Sequence, residues 1–225
     1  MITKYKAILF GSIGTLVETS ELQLRAFNQA FSEAGLDWNW SIEEYQKMLK
    51  KSGGQSRIND FANQCGIEVN AEELHLRKTE IFNKMMSDEK ISPRPGVANL
   101  INYARENRIQ LAFVTNTSKA NIDAMFFALD NQIKKSDFTF IGNDKIVSQP
   151  KPNSEIYLKV LSNLKLTSKD CIAIEDTEVS MRSAIDANIS CIAFPGAFAL
   201  QNDFSNALIV TYNLSKIIYK KIKNL

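Results

Sequence analysis

Hydrophobic residues follow two rhythms along this chain. A short unbroken apolar run over 5–10 opens it and predicts a buried strand. The rhythm then turns helical. Leu22, Ala26, Phe27, Ala30, Phe31 and Ala34 recur at three- and four-residue spacing, and Gly35 closes the run. Ser41-Ile42-Glu43-Glu44 reads as a capping box opening a second helix through about Leu49. Two more helical stretches are predicted over 57–65 and 71–86. Pro93 and Pro95 then mark a boundary, because proline biases the residue before it away from helix.

Beyond the prolines the two rhythms alternate. Helices are predicted over 96–107, 119–129, 154–164 and 179–187, and strands over 110–114, 138–141, 171–174, 191–194 and 208–210. Strand–helix alternation predicts an α/β fold with a parallel sheet and right-handed crossovers. Residues 1–16 and 93–225 would form that core, and 17–92 an inserted helical block. Gly11, Thr115 and Asp176 fall just past the ends of three strands, where ligands of such sheets sit, so they should converge on one crevice.

Composition narrows the class without naming a ligand. The 225 residues are 44% hydrophobic and 23% charged, enough for a packed core plus a small extra module. The net charge of +2 gives no footprint for nucleic acid. Lys216, Lys220, Lys221 and Lys223 read as the solvated face of a final helix. Cys65, Cys171 and Cys191 lack metal-like spacing. Cys171 and Cys191 open apolar runs, which points to buried free thiols in a reducing compartment. The start, MITKYKAILF, lacks the pattern of a signal peptide, and no apolar run approaches a membrane span. A cytoplasmic chain is expected, with no nucleic-acid or membrane partner, as a monomer or weak dimer.

Four spaced motifs carry the chemistry. The first is Phe10-Gly11-Ser12-Ile13-Gly14-Thr15-Leu16, and the second Val114-Thr115-Asn116-Thr117-Ser118. The third is Lys151-Pro152-Asn153-Ser154-Glu155-Ile156-Tyr157, and the fourth Ile174-Glu175-Asp176-Thr177. In this order, at strand ends, they resemble the haloacid dehalogenase (HAD) superfamily, whose first motif is usually Asp-x-Asp-Gly-Thr-Leu. Glu18-Thr19-Ser20-Glu21, Trp38-Asn39-Trp40, Gly53-Gly54-Gln55-Ser56-Arg57 and Arg94-Pro95-Gly96-Val97 resemble the CbbY-type sugar-bisphosphate phosphatases within it. Gln23 stands where such enzymes often carry a histidine. The resemblance implies a HAD-like Rossmannoid core with an α-helical cap, and xylulose 1,5-bisphosphate or a similar sugar phosphate as the ancestral substrate.

The resemblance also implies a lost reaction centre. The family's first aspartate attacks phosphorus and holds magnesium, and its second works as general acid and base; here Gly11 and Ile13 take their places. A carboxylate nucleophile forms a mixed anhydride that water can cleave, and glycine has none. Loss of the acid/base typically forfeits about 10²–10⁴ in rate. Ser12 reads as a turn residue rather than a replacement nucleophile, since the only histidine, His75, lies in the helical block.

Thr115, Asn116 and Lys151 are intact phosphate-binding residues by the same resemblance. Helix amides after Thr115 would help them, and Lys151 would act as a point cation. Glu175 and Asp176 remain as weak magnesium ligands, with Asp176 as the cap of the following helix the competing reading. Glu18 belongs to the substrate-facing hinge, either as a rescued acid/base or as a plain hinge carboxylate. Arg57 reads as a clamp for a second phosphate. Arg94 reads as a second such clamp or as the partner of a cap carboxylate. Gly53-Gly54 would let main chain approach a ligand closely, and Trp38 and Trp40 read as packing. Three functions stay open: a pseudoenzyme binding a phosphorylated metabolite or a partner, a hydrolase working through an atypical site with magnesium, and a structural relic.

Overall fold

The computed structural model describes residues 2–51, 53–89, 91–129 and 132–219. The predicted lysines Lys220, Lys221 and Lys223 lie outside them. Six strands make one sheet: β1 Ala7–Phe10, β2 Gln110–Phe113, β3 Phe140–Ile141, β4 Cys171–Glu175, β5 Ser190–Ala193 and β6 Ile209–Val210. Their order is β3-β2-β1-β4-β5-β6 and every neighbouring pair is parallel. The predicted strands are all present, each trimmed by a residue or two at an end, except β4, which gains Glu175, and β5, which shifts by one residue to begin at Ser190.

Helices cover both faces, and the pleat decides what each meets. Ile8, Phe10, Leu111, Phe113, Ile172, Ile174 and Ile192 point one way, into a core of large side chains. Helices α6 (Val97–Glu106) and α7 (Lys119–Ala128) bury their apolar stripes there. Ala7, Leu9, Ala112, Cys171, Ala173, Cys191 and Ala193 point the other way, against α8 (Glu155–Leu164) and α9 (Glu178–Asp186). Both buried cysteines are free thiols, and burial pushes the Cys171 thiol up to about 11.

Between β1 and α6 the chain leaves the sheet. A short turn of helix, α1 (Ile13–Leu16), is followed by α2 (Ser20–Glu33), α3 (Ile42–Met48), α4 (Gly54–Cys65) and α5 (Ala71–Asp88). The Ser41–Glu44 capping box forms as the sequence predicts. Trp38, Trp40, Phe27, Phe31 and Tyr45 stack into a separate aromatic cluster, so both tryptophans are packing residues. Leu22, Ala26, Ile81, Phe82 and Met86, on the same α2 and α5, join the large-residue core of the sheet instead. Val17 and Pro93 pair as an antiparallel bridge, so the chain enters and leaves the helical block side by side.

Candidate functional site

The central crevice follows from strand register. β1 lies between β2 and β4, with Phe10 opposite Phe113 and Ile174. Gly11, Thr115 and Asp176 therefore emerge together at the carboxyl edge, as the sequence pattern predicts. Residues alternate faces along a strand. Ala7, Leu9 and then Gly11 share the α8 side with Cys171, Ala173 and then Glu175. Gly11 and Glu175 are thus lateral neighbours on one face, and the Gly11 amide donates to the Ile174 carbonyl at 3.0 Å.

That adjacency decides what fills the place of the missing side chain. A Cβ on Gly11 would lie 2.0 Å from Cδ and Oε1 of Glu175 and 2.3 Å from Oε2. The Glu175 carboxylate occupies the space itself and is fully buried. Its Oε1 accepts from Lys151 Nζ at 2.6 Å and from the Tyr157 hydroxyl at 2.6 Å. Lys151, also buried, donates further to the carbonyls of Gly11 at 2.5 Å and Val114 at 2.8 Å. Burial, the largest influence, pushes the Glu175 carboxyl up, while Lys151 and Tyr157 pull it back. The Tyr157 hydroxyl is raised well above its usual range by burial and by the Glu175 charge.

Beside it the first motif turns away. Ile13 is buried and packs into the large-residue core, so no proton donor stands there. Asp176 crowds Gly14, where a Cβ would come within 1.9 Å of Oδ2. Burial pushes the Asp176 carboxyl up, with the Ser12 hydroxyl and the Arg94 guanidinium opposing. Asp176 does not cap α9; Thr177 does, its hydroxyl accepting from the Ser180 amide at 3.2 Å. That replaces the competing reading of Asp176 as a cap.

Thr115 and Asn116 sit where β2 leads into α7. Thr115 is buried and its hydroxyl accepts from the Thr117 amide at 3.2 Å. Asn116 Oδ1 accepts from the Lys151 amide at 3.2 Å, which ties the second motif to the third. Its Nδ2 is buried with no acceptor; Glu175 Oε2 and Asp176 Oδ1 likewise lack partners. Unpartnered buried polar atoms are rare and costly, and three in one crevice mark a site built for something polar.

The predicted clamps go elsewhere. Arg94 donates Nη1 to the carbonyls of Gly14 at 2.6 Å and Phe194 at 2.9 Å, and Nη2 to that of Pro195. It also lies 3.6 Å from the Phe194 ring centroid. It rivets the start of α1 to the loop after β5, within the field of the Glu18 and Asp176 carboxylates. Arg57 donates to the carbonyls of Met48 at 3.4 Å and Lys51 at 3.1 Å, holding the loop before α4. Glu18 is a hinge carboxylate, accepting from Ser20 at 2.9 Å and from Ala197 across the hinge at 2.7 Å. Gly54 is needed for α5 rather than for a ligand: a Cβ there would meet His75 Nε2 at 2.5 Å.

Sequence reasoning missed Lys78. It sits on the apolar stripe of α5 between Leu74 and Ile81, buried, donating to Gln23 Oε1. A lysine at a core position of a helical stripe was the available signal. A cleft of about 650 Å³ opens beside Lys151, lined by Lys50 and Lys51 of the helical block and by Pro150, Glu178 and Arg182 of the core.

Of the two carboxylates in the crevice, Glu175 is spent on Lys151 and Asp176 is left for a cation. Magnesium takes about six oxygens in near-octahedral geometry, commonly one or two carboxylates with waters completing the shell. Two carboxylates remain, and the Glu175 charge is balanced by Lys151 at 2.6 Å. Among the described residues no group of three or more His, Cys, Asp or Glu side chains could hold a metal ion.

A parallel Rossmann-like core, a helical insertion after the first strand and converging threonine, lysine and acidic motifs define a phosphatase scaffold of one kind. The profile of Haloacid dehalogenase-like hydrolase matches residues 8–194, and the chain belongs to that superfamily, in its CbbY-like branch. Protein CbbY of Cereibacter sphaeroides is 37% identical over 205 residues, covering 90% of this chain and 89% of that one. The plasmid-borne CbbY of Cupriavidus necator is 34% identical over 217 residues, covering 93% and 85%. The crystal structure of CbbY from Rhodobacter sphaeroides in complex with phosphate superposes with a TM-score of 0.87 at 33% identity, covering 95% of this chain and 96% of that one. A mutant of the same protein in complex with xylulose-(1,5)bisphosphate matches with the same TM-score of 0.87.

Proposed function

We propose that this CbbY-like phosphatase homologue is a pseudoenzyme that binds the phosphoryl group of a sugar phosphate or bisphosphate in its core crevice and does not hydrolyse it. One observation carries the reading. The place of the attacking carboxylate is taken by Glu175, a side chain already bonded to Lys151 and Tyr157 and shut away from solvent. A nucleophile must reach phosphorus in line, and Glu175 in this position is part of the wall. Ile13 packs into the large-residue core and offers no proton to a leaving oxygen.

The binding half survives the loss. Lys151 supplies charge, Asn116 Nδ2 an unspent donor, and the amides opening α7 a partial positive potential. Related proteins in complex with phosphate and with xylulose-(1,5)bisphosphate supply the ligand class. Glu18, Arg57 and Arg94 serve as positioning side chains of hinge and cap.

The test pairs turnover with binding. Incubation with magnesium and either an aryl phosphate or xylulose 1,5-bisphosphate should release no phosphate above background, while titration calorimetry detects phosphate binding that Lys151→Ala removes. Turnover that depends on magnesium and disappears in Asp176→Ala would overturn the pseudoenzyme reading. Equal phosphate binding by Lys151→Ala would overturn the placement of the ligand.

A further inference from the structure

The hydrogen bonds of Lys151 limit what can bind it. An ammonium has three donors. Those of Lys151 go to the Gly11 carbonyl at 2.5 Å, the Val114 carbonyl at 2.8 Å and Glu175 Oε1 at 2.6 Å. The two carbonyls belong to main chain at the ends of central strands and cannot withdraw. Glu175 is the one partner on rotatable bonds, and its other oxygen, Oε2, has no partner at all. Its carboxylate lies where a side chain at position 11 would begin, because glycine leaves that volume free.

We propose that Glu175 is an internal competitor for the phosphoryl site, holding the cation that an entering oxyanion needs, so that binding requires its side chain to swing out. This rests on the reading of the crevice as a phosphoryl site. A carboxylate and a phosphate cannot share one buried ammonium, since two like charges at low dielectric repel strongly. Glu175 therefore sets the affinity of the crevice, and Gly11 is the residue that admits it. In a chain with a side chain at position 11 the same carboxylate would be forced off its present place.

The experiment is titration calorimetry with inorganic phosphate, repeated with sulfate, on the unmodified protein, Glu175→Gln and Gly11→Ala. Glu175→Gln removes the competing charge while keeping the shape. Gly11→Ala puts a methyl group on the space the carboxylate uses and leaves the charge in the protein. Both should tighten anion binding by about tenfold or more, and Lys151→Ala added to either should abolish the gain. Thermal melts with and without phosphate check folding, and the anion should raise the melting temperature of both variants more than that of the unmodified protein. Affinity unchanged or weaker in both folded variants, with phosphate still bound by the unmodified protein, would overturn the competitor while leaving the phosphoryl site standing. Binding in none of the three would overturn the phosphoryl site and the competitor together.

Discussion

Two buried lysines, one in the sheet core and one in the helical block, show how the same charge is handled in two ways. Lys151 is 5% exposed and meets three oxygens, one of them a carboxylate. Lys78 is 4% exposed, and its only hydrogen-bond partner among the described residues is the Gln23 amide oxygen. The rings of Phe27 and Phe82 flank its ammonium at 4.7 and 4.8 Å. Burial, with Arg57 adding repulsion, brings the Lys78 pKa down to about 7. Where the core balances a cation with Glu175, the helical block sheds much of the charge instead. A paired buried cation marks the crevice where the four motifs meet; an unpaired one is a stability cost that depends on pH.

The largest effect should come from breaking the paired lysine. Lys151→Met leaves Glu175 buried without its counter-charge and should destabilise the fold by about 3–5 kcal/mol in urea titration. Lys151→Met combined with Glu175→Gln should recover most of that loss. If the double variant is no more stable than the single, the pair is not what balances the core.

Lys78→Met should act in the opposite direction. It removes an unpaired buried amine and should stabilise the protein by about 2–4 kcal/mol at pH values below the lysine's folded pKa. The sign follows from linkage. The folded pKa, about 7, lies below the ordinary 10.5, so between those values the unfolded chain binds more protons. This group's contribution to stability therefore improves as pH rises through that window. The advantage of Lys78→Met should shrink over the same window in denaturant titrations, and a constant advantage would contradict the assignment.

His75 should give the smallest shift. It packs against Gly54, and burial with the nearby Lys78 and Arg57 charges lowers its pKa to about 4 from 6.5. The unfolded chain takes up that proton first as pH falls, so the native state loses stability between those values. His75→Phe should reduce that loss by about 1–2 kcal/mol, allowing for its partial exposure. The difference between variant and unmodified protein, measured from pH 7 to pH 4, checks it.

The hydrophobic rhythm was enough to read the strands, the helical insertion and the convergence of Gly11, Thr115 and Asp176. Gly11 and Ile13 in the first motif were equally legible. What fills the place of residue 11 was not. Alternation puts Gly11 and Glu175 each on a definite face, but only the register between β1 and β4 makes them neighbours. Arg57 and Arg94 looked like phosphate clamps because a sequence displays side chains and hides carbonyls. Both guanidiniums bind main-chain oxygens of loops brought close by the fold. Lys78 was hidden in plain helical spacing, since its meaning depends on Phe27 and Phe82 closing over it.

Phosphate release from xylulose 1,5-bisphosphate in the presence of magnesium, compared between the unmodified protein and Gly11→Asp/Ile13→Asp, tests the central claim most directly. Asp at 11 would supply a nucleophile and must push Glu175 aside, since its Cβ falls 2.0 Å from the present carboxylate carbon. Asp at 13 would supply the proton donor, at some cost to packing because Ile13 is buried, so folding is checked by thermal melt. The account predicts background release from the unmodified protein and magnesium-dependent release from the double variant. Magnesium-dependent release from the unmodified protein, at a rate the double variant does not exceed, would contradict it.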